Sequence, residues 1–185
     1  MRIKFNIQRF STNAIPEALT DFRIYRKGKD DFIGAKSVEI SGINAKTVDV
    51  SGAGILGEIA AAIIGHFESI EVKINWSVPT ETALEIIGGL ATEIEIYGNI
   101  QEWDGGESQY VQVPIKITVK SRAKSYEGGT FEAMNTMDGS TTLEATYLKY
   151  ELDGKEKILI DKYNFVFKVD GKDQMDKIRK NLGIK

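Results

Sequence analysis

The stretch STTLEATYLKYELDGKEKILIDKYNFVFKVDGKDQMDKIRKNLGI, residues 140–184, decides the fold. Residues 141–152 and 157–160 read as strands joined across Asp153-Gly154, a dipeptide suited to the tight turn of a β-hairpin. Phe165, Phe167 and Val169 alternate in a further strand that stops at Asp170-Gly171. Asp173 is placed to cap a closing helix with Met175, Ile178 and Leu182 on its apolar side and Gly183 as its C-cap. None of these residues forms a catalytic constellation. The stretch specifies a compact β-rich building block, which turns the question from what it catalyses to what it assembles into.

The same period of two runs upstream. In residues 110–120, Val111, Val113, Ile115, Ile117 and Val119 oppose Gln112, Lys116, Thr118 and Lys120, and Pro114 removes one ladder donor, which predicts an edge or a bulge. Residues 92–103 turn Ile94 and Ile96 inward and Glu93 and Glu95 outward, ending at Asp104-Gly105-Gly106. Residues 69–78 place Ile70, Val72, Ile74, Trp76 and Val78 on one face and Ser69, Glu71, Lys73, Asn75 and Ser77 on the other. Pro79 ends that strand, and Thr80 caps a short helix running through Leu84 and Ile87 to Gly88-Gly89. Residues 21–26, 32–41 and 46–51 supply three more strands, the first closed by a turn over Lys27-Gly28-Lys29-Asp30, and residues 126–139 form a long glycine-rich loop. Residues 1–19 lack a clear period. The chain divides into an N-terminal arm, residues 1–14, and one domain, residues 15–185. Eight or nine strands with two short helices and no crossover helices predict a mainly β, antiparallel sandwich or barrel.

Charge is uneven. Residues 155–185 hold nine Lys/Arg and five Asp/Glu, a balance of +4, so residues 1–154 carry −7 of the total −3. No basic stripe suited to general nucleic-acid binding is present. An acidic body with a basic end suits contact with another copy of itself, while a solvated surface with uneven lysines is the plainer reading. The absence of cysteine removes disulfides and thiolate metal sites. Residues 53–67 are the most apolar stretch, yet they include Glu58 and His66 and fall short of the ~20 apolar residues of a membrane span. Their small, glycine-punctuated composition fits either packing against another chain or an internal helix or loop under the sheet.

Candidate chemistry is thin. His66 is the single histidine, set between Gly65 and Phe67, and reads as a packed or interface residue rather than a triad member. Asp30-Asp31 and Glu93/Glu95 are the available paired carboxylates, but lysines surround the first pair and alternating acids are ordinary on a solvated strand face. The runs at 51–54 and Gly88-Gly89 do not give a phosphate-binding loop. Trp76 or Trp103 would serve a sugar- or lipid-binding barrel, although Trp76 lies on an apolar face and reads as core. No catalytic residue, cofactor or metal site is expected.

The order of several segments resembles the major tail tube protein family of contractile-tailed phages. The pieces that carry this are IPEALTDFRIY at 15–25, VEIS at 38–41, EVKINWS at 71–77, TYLKYELDGK at 146–155, ILIDKYN at 158–164 and VDGKDQ at 169–174. The resemblance implies a β-sandwich or barrel forming hexameric rings. These stack into a tube inside a contractile sheath, with long hairpins lining the lumen. It implies a virion or tail-like particle assembled in the host bacterial cytoplasm. The implied partners are other copies of the chain, the sheath protein, baseplate and terminator proteins, and a tape-measure protein in the lumen. DNA would pass without specific binding, and no membrane anchor or enzymatic activity is implied. A bacteriocin, type VI secretion or extracellular injection tube would share the fold. On this reading Thr47, Asp49 and Ser51, with Ser69, Glu71, Lys73 and Asn75, face the lumen from two neighbouring strands. Ile55, Leu56, Ile59, Ile63, Ile64 and Phe67 form a subunit interface. A net acidic lumen would repel DNA phosphates, and the opposed charges of body and C-terminal block would suit ring-to-ring contact.

Overall fold

A computed structural model describes residues 14–27, 34–88 and 91–184. The segment 1–13, the turn and acid pair at Gly28 to Asp31, Phe32 and Gly89 lie outside these residues. The elements are β1 (Ala14–Arg26), β2 (Ser37–Ile40), β3 (Ala45–Val50), β4 (Ile59–Phe67), β5 (Glu71–Trp76), α1 (Glu81–Gly88), β6 (Thr92–Asp104) and β7 (Gln109–Glu127). They continue with β8 (Gly139–Leu152), β9 (Lys155–Asp161), β10 (Val166–Val169), β11 (Lys172–Asp173) and α2 (Asp176–Asn181). The fold is mainly β, as expected, with every described strand pairing antiparallel.

Nine strands form one sheet in the order β1-β6-β7-β8-β9-β10-β11, with β5 and then β2 branching from β8. Both sharp turns of the C-terminal block form as their dipeptides require. Asp153 and Gly154 have φ of 50° and 69°, and Asp170 and Gly171 have 47° and 76°. Two consecutive positive φ values make type I′ turns, whose twist matches that of the flanking strands.

The inward residues of β1, β5, β6, β7, β8 and β9 meet in one core. Ile24, Val72, Ile74, Trp76, Ile94, Val119, Leu143 and Leu148 are among its members. α1 closes one side of it. Thr80 Oγ1 accepts the Ala83 N–H at 3.2 Å, the cap expected from sequence. The helix buries Ala83 and Ile86 and leaves Leu84 exposed. The indole of Trp76 is fully buried and its Nε1–H donates to Thr141 Oγ1 at 2.9 Å, which satisfies the one polar atom carried into the core.

Two expectations change. Strand β1 begins at Ala14, so residues 15–19 are paired strand rather than loose chain; bulges at Pro16/Ala18 and Leu19/Asp21 hide its alternation. Residues 59–67 form strand β4, paired among the described residues only with β3 in a separate two-stranded sheet, and are neither helix nor loop under the main sheet.

The core assigns a scale to these contacts. Trp76→Ala is expected to lower unfolding stability by about 3–5 kcal/mol. Thr141→Val, which strands the indole N–H, costs about 1–3 kcal/mol. Leu84→Ala stays within about 0.5 kcal/mol. Urea titrations followed by far-ultraviolet circular dichroism measure all three, and equal losses for Trp76→Ala and Leu84→Ala would refute the core assignment.

Candidate functional site

The β3–β4 hairpin stands apart from the main sheet. Its register pairs Thr47 with Ala62, Val48 with Ala61, Asp49 with Ala60 and Val50 with Ile59. Opposed residues share a face. Val48, Val50, Ile59, Ala61 and Ile63 therefore make one apolar face, and Thr47, Asp49, Ala60, Ala62 and Ile64 make a small and more polar one. Both faces are open, with Ile59 at 55% and Ile64 at 58% exposure. Among the described residues the hairpin is anchored at its base. Phe67 packs edge-on against Phe167 with ring centroids 5.0 Å apart. Gly65, at φ 78°, lies so close to Met175 that an added Cβ would sit 2.2 Å from its Sδ. An isolated two-stranded ribbon is marginal in water.

A second projection comes from β1, β6 and β7. Strand β8 pairs β7 only from Ile115, opposite Leu152, so residues 99–114 and the start of β1 extend past the body. One face of this extension is an amide ladder. Asn99 Nδ2 donates to Thr20 Oγ1 at 2.8 Å and also to Gln112 Oε1, and Gln101 Nε2 donates to Glu17 Oε2 at 3.1 Å. The opposite face carries Leu19, Ile100, Val111 and Val113. At the tip, Asp104 Oδ1 accepts the N–H groups of Gly106 and Glu107 at 2.8 and 3.2 Å, and Trp103 packs against Tyr110. Among the described residues no strand pairs the outer edge of β7 over positions 109–113.

The structure separates the two residue sets that sequence reasoning placed on neighbouring strands. Both edges of β5 are occupied, by β2 and β8, so β3 is not its neighbour. Thr47 and Asp49 stand on the open hairpin, and Ser51 lies just past the end of β3. On β5 the polar residues bind within the body instead. Ser69 Oγ donates to Glu144, Glu71 pairs with Lys124, Lys73 lies 3.8 Å from Glu127, and Asn75 Nδ2 donates to Ser37 Oγ and Glu39 Oε1 at 2.9 and 2.7 Å. Of the apolar set, Leu56, Ile59, Ile63 and Ile64 are exposed, Ile55 is half-buried, and Phe67 is turned onto its own subunit's core. Sequence reasoning did not single out Glu17, Thr20, Asn99, Gln101 and Gln112. The alternation around Gln112 was visible and so was the end of β8, but the β1 bulges hid Glu17 and Thr20, and the register that starts the β7–β8 pairing at Ile115 was not legible.

The remaining candidates have structural partners. Glu93 binds Lys27 at 2.7 Å, and Glu95 binds Lys116 at 2.9 Å and accepts from the Tyr97 hydroxyl at 2.8 Å. The hydrogen bond from Lys116 holds the Glu95 carboxyl below its ordinary range, and Tyr97 and Glu95 together push the Lys116 ammonium up. Trp76 has no surface for a ligand. His66 is exposed rather than packed, beside a groove formed with Phe165, Phe167 and Met175.

Among the described residues these two projections bring together strand faces and open edges rather than a constellation of reacting groups. The profile of the family described as phage tail tube protein FII matches residues 16–183. The chain belongs to that phage tail tube protein family. The tail tube protein of Escherichia phage P2 is 25% identical over 177 residues, covering 92% of this chain and 99% of its own length. The major tail tube protein of Serratia phage KSP20 is 25% identical over 183 residues, covering 92% and 98%. Among solved structures, the sheath/tube terminator of the extracellular contractile injection system PVC has the same fold. Its TM-score is 0.51 at 16% identity, covering 74% of this chain and 96% of the other. The tube-terminating cap of the anti-feeding prophage also matches, with a TM-score of 0.51 at 14% identity, covering 80% and 99%. As a tail tube protein, the chain is a structural component of a virion or tail-like particle.

The Glu95–Lys116 pair joins β6 to β7 at the root of the extension. A carboxylate with a depressed folded-state pKa contributes stability above its unfolded value, and that contribution is lost as pH falls through the folded one. Subunit stability is therefore expected to drop with acidification below the ordinary value of 4.5. Glu95→Gln should flatten that limb of the stability–pH curve, and an unchanged slope would show that the pair is not coupled to folding.

Proposed function

We propose that this chain is the tube subunit of a contractile phage tail, assembling into hexameric rings that stack into the inner tube through which the genome leaves. The observation that carries the reading is the pair of amphipathic strand projections, which no described residue of the same subunit pairs or covers. Neighbouring copies pair their edges and remove them from solvent. The polar faces, with Thr47 and Asp49 on the hairpin, Ser51 beyond it, and Asn99, Gln101 and Gln112 on the extension, turn to the lumen. Leu56, Ile59, Ile63 and Val48 turn towards neighbouring subunits. Glu71, Lys73 and Asn75 are left to the surface of the body, where their ion pairs and hydrogen bonds already occupy them.

A lumen of amides and carboxylates suits a conduit. It offers DNA phosphates no cationic binding site, so the genome slides past without specific contact. Sheath, baseplate, terminator and tape-measure proteins are the remaining partners of such a tube. Assembly takes place in the host bacterial cytoplasm, and the chain performs no reaction of its own. Relatives from phages P2 and KSP20 matching over nearly their whole length favour a phage tail over an injection-system tube.

Negative-stain microscopy of the purified protein is expected to show rings or hollow tubes. Ile59→Asp puts a charge on the apolar hairpin face and should leave folded subunits that do not assemble. In assembled tubes an Asp49→Cys thiol should react with a small maleimide and be shielded from one coupled to a large dextran. Persistent monomers of the unmodified chain would overturn the reading, and free access of the dextran reagent along the tube would overturn the lumen assignment.

A further inference from the structure

A cleft of about 270 Å³ opens where β2 diverges from the β1-β6-β7 layer. Leu19, Phe22, Val38, Ile40, Ile96 and Ile117 line it, and Ser37 is the one polar residue on its wall. Gly98 keeps it open, because a Cβ there would come within 2.8 Å of Leu19 Cδ1 and 2.9 Å of Ile115 Cγ2. The cleft is not closed off from the assembly surface. Leu19 belongs both to its wall and to the apolar face of the extension, so an aliphatic strip runs from the cleft out to Ile100 and Val113, with Val111 beyond them opposite Glu102.

The same chain carries a projection of matching chemistry. The tip of the β3–β4 hairpin reads Ser51-Gly52-Ala53-Gly54-Ile55-Leu56-Gly57-Glu58, and Leu56 is fully exposed there. The six residues of β3 carry this tip about 20 Å from its base. Leaving an aliphatic side chain of this size in water is unfavourable by about 1.5–3 kcal/mol relative to burial.

We infer that the hairpin tip of one subunit inserts Leu56 into the Leu19–Val38–Ile117 cleft of an adjacent copy. The inference rests on the tube reading and specifies its contact. In a ring or stack, where each subunit has a different neighbour on either side, the contact is heterologous: each subunit gives a tip to one neighbour and receives one from the other. Such a contact propagates along a polymer instead of stopping at a pair. The apolar strip beyond the cleft then lies under the apolar face of the incoming hairpin, so Val48 and Ile59 are covered by the same docking event. A second copy is the occupant because docking covers two apolar surfaces of this chain at once and continues the surface already assigned to assembly.

The chain has no cysteine, so an engineered pair reports without background. Leu19→Cys/Leu56→Cys protein, assembled and then oxidised, is expected to give a ladder of multimers on a non-reducing gel. Co-assembly of the two single variants should give crosslinked dimers only. Leu56→Ser should raise the critical concentration for assembly about tenfold or more, with Leu56→Met near the unmodified value. Tubes that form normally with no crosslink, or a Leu56→Ser critical concentration unchanged, would overturn the docking contact and leave the tube reading standing. Failure of the unmodified chain to assemble would overturn the tube reading and this contact with it.

Discussion

Backbone pairing around β8 is the constraint on which the molecule depends. One edge of this strand is held by β7, and the other is shared by two strands in succession, β5 against Gly139–Glu144 and β9 against Tyr147–Leu152. The exchange occurs at two residues: the Ala145 N–H donates to the Ile70 carbonyl at 2.8 Å, and the Thr146 carbonyl accepts from Lys162 N–H at 3.0 Å. Buried backbone groups have to find partners, so neither branch can detach without orphaning a row of them. Leu143, Ala145 and Leu148 are all buried, which breaks the period of two and requires the bulge seen there. The bend brings both branches over one core, and α1 fills the remaining side.

The end of β8 also determines what is left outside. Asp153-Gly154 reverses the chain in two residues, and the Asp153 N–H closes onto the Pro114 carbonyl at 2.9 Å. The N–H and C=O of one strand residue point the same way, so the donor that Pro114 lacks would have faced this same turn. The proline thus falls where β7 leaves its partner and becomes an edge, and it costs the β6–β7 ladder nothing. Beyond it the extension has β1 on one side and an open edge on the other. A turn dipeptide in the C-terminal block therefore decides how much of β6 and β7 is available to other subunits.

These relations explain what the sequence showed and what it hid. The I′ turns, the β5 alternation and the buried indole were legible because local chemistry decides them: two residues that accept positive φ, a strand with one polar face, an aromatic on the other. The β4 strand was not legible, since Ile59, Ala61 and Ile63 on one face meet Ala60, Ala62 and Ile64 on the other. Apolar residues on both faces leave no period to read. In β1 the bulges erase the period, and a polar side chain at 17 or 20 looks like loop chemistry until its partners at 101 and 99 are known. The reading of β3 and β5 as neighbouring strands failed for a similar reason. The faces of β3 and β5 are alike in sequence, and which strand pairs with which is a property of the whole sheet.

The closing block does more than complete the core. Asp173 Oδ1 accepts the Met175 N–H at 2.9 Å, and its carboxylate binds Arg179 Nη2 at 2.5 Å, while Arg179 Nη1 donates to the Phe165 carbonyl at 2.8 Å. Asp173 therefore acts from within β11 on the residue before α2, rather than as the helix cap itself. The guanidinium holds that carboxyl below its usual range. A partly exposed ion pair stabilises a fold by only about 1 kcal/mol or less. Its leverage here is geometric. It seats Met175, which is 3% exposed, against the one glycine of β4 that can tolerate it, next to the Phe67–Phe167 contact. The hairpin leaves the body at that point, so its direction is set by how the last thirty residues fold.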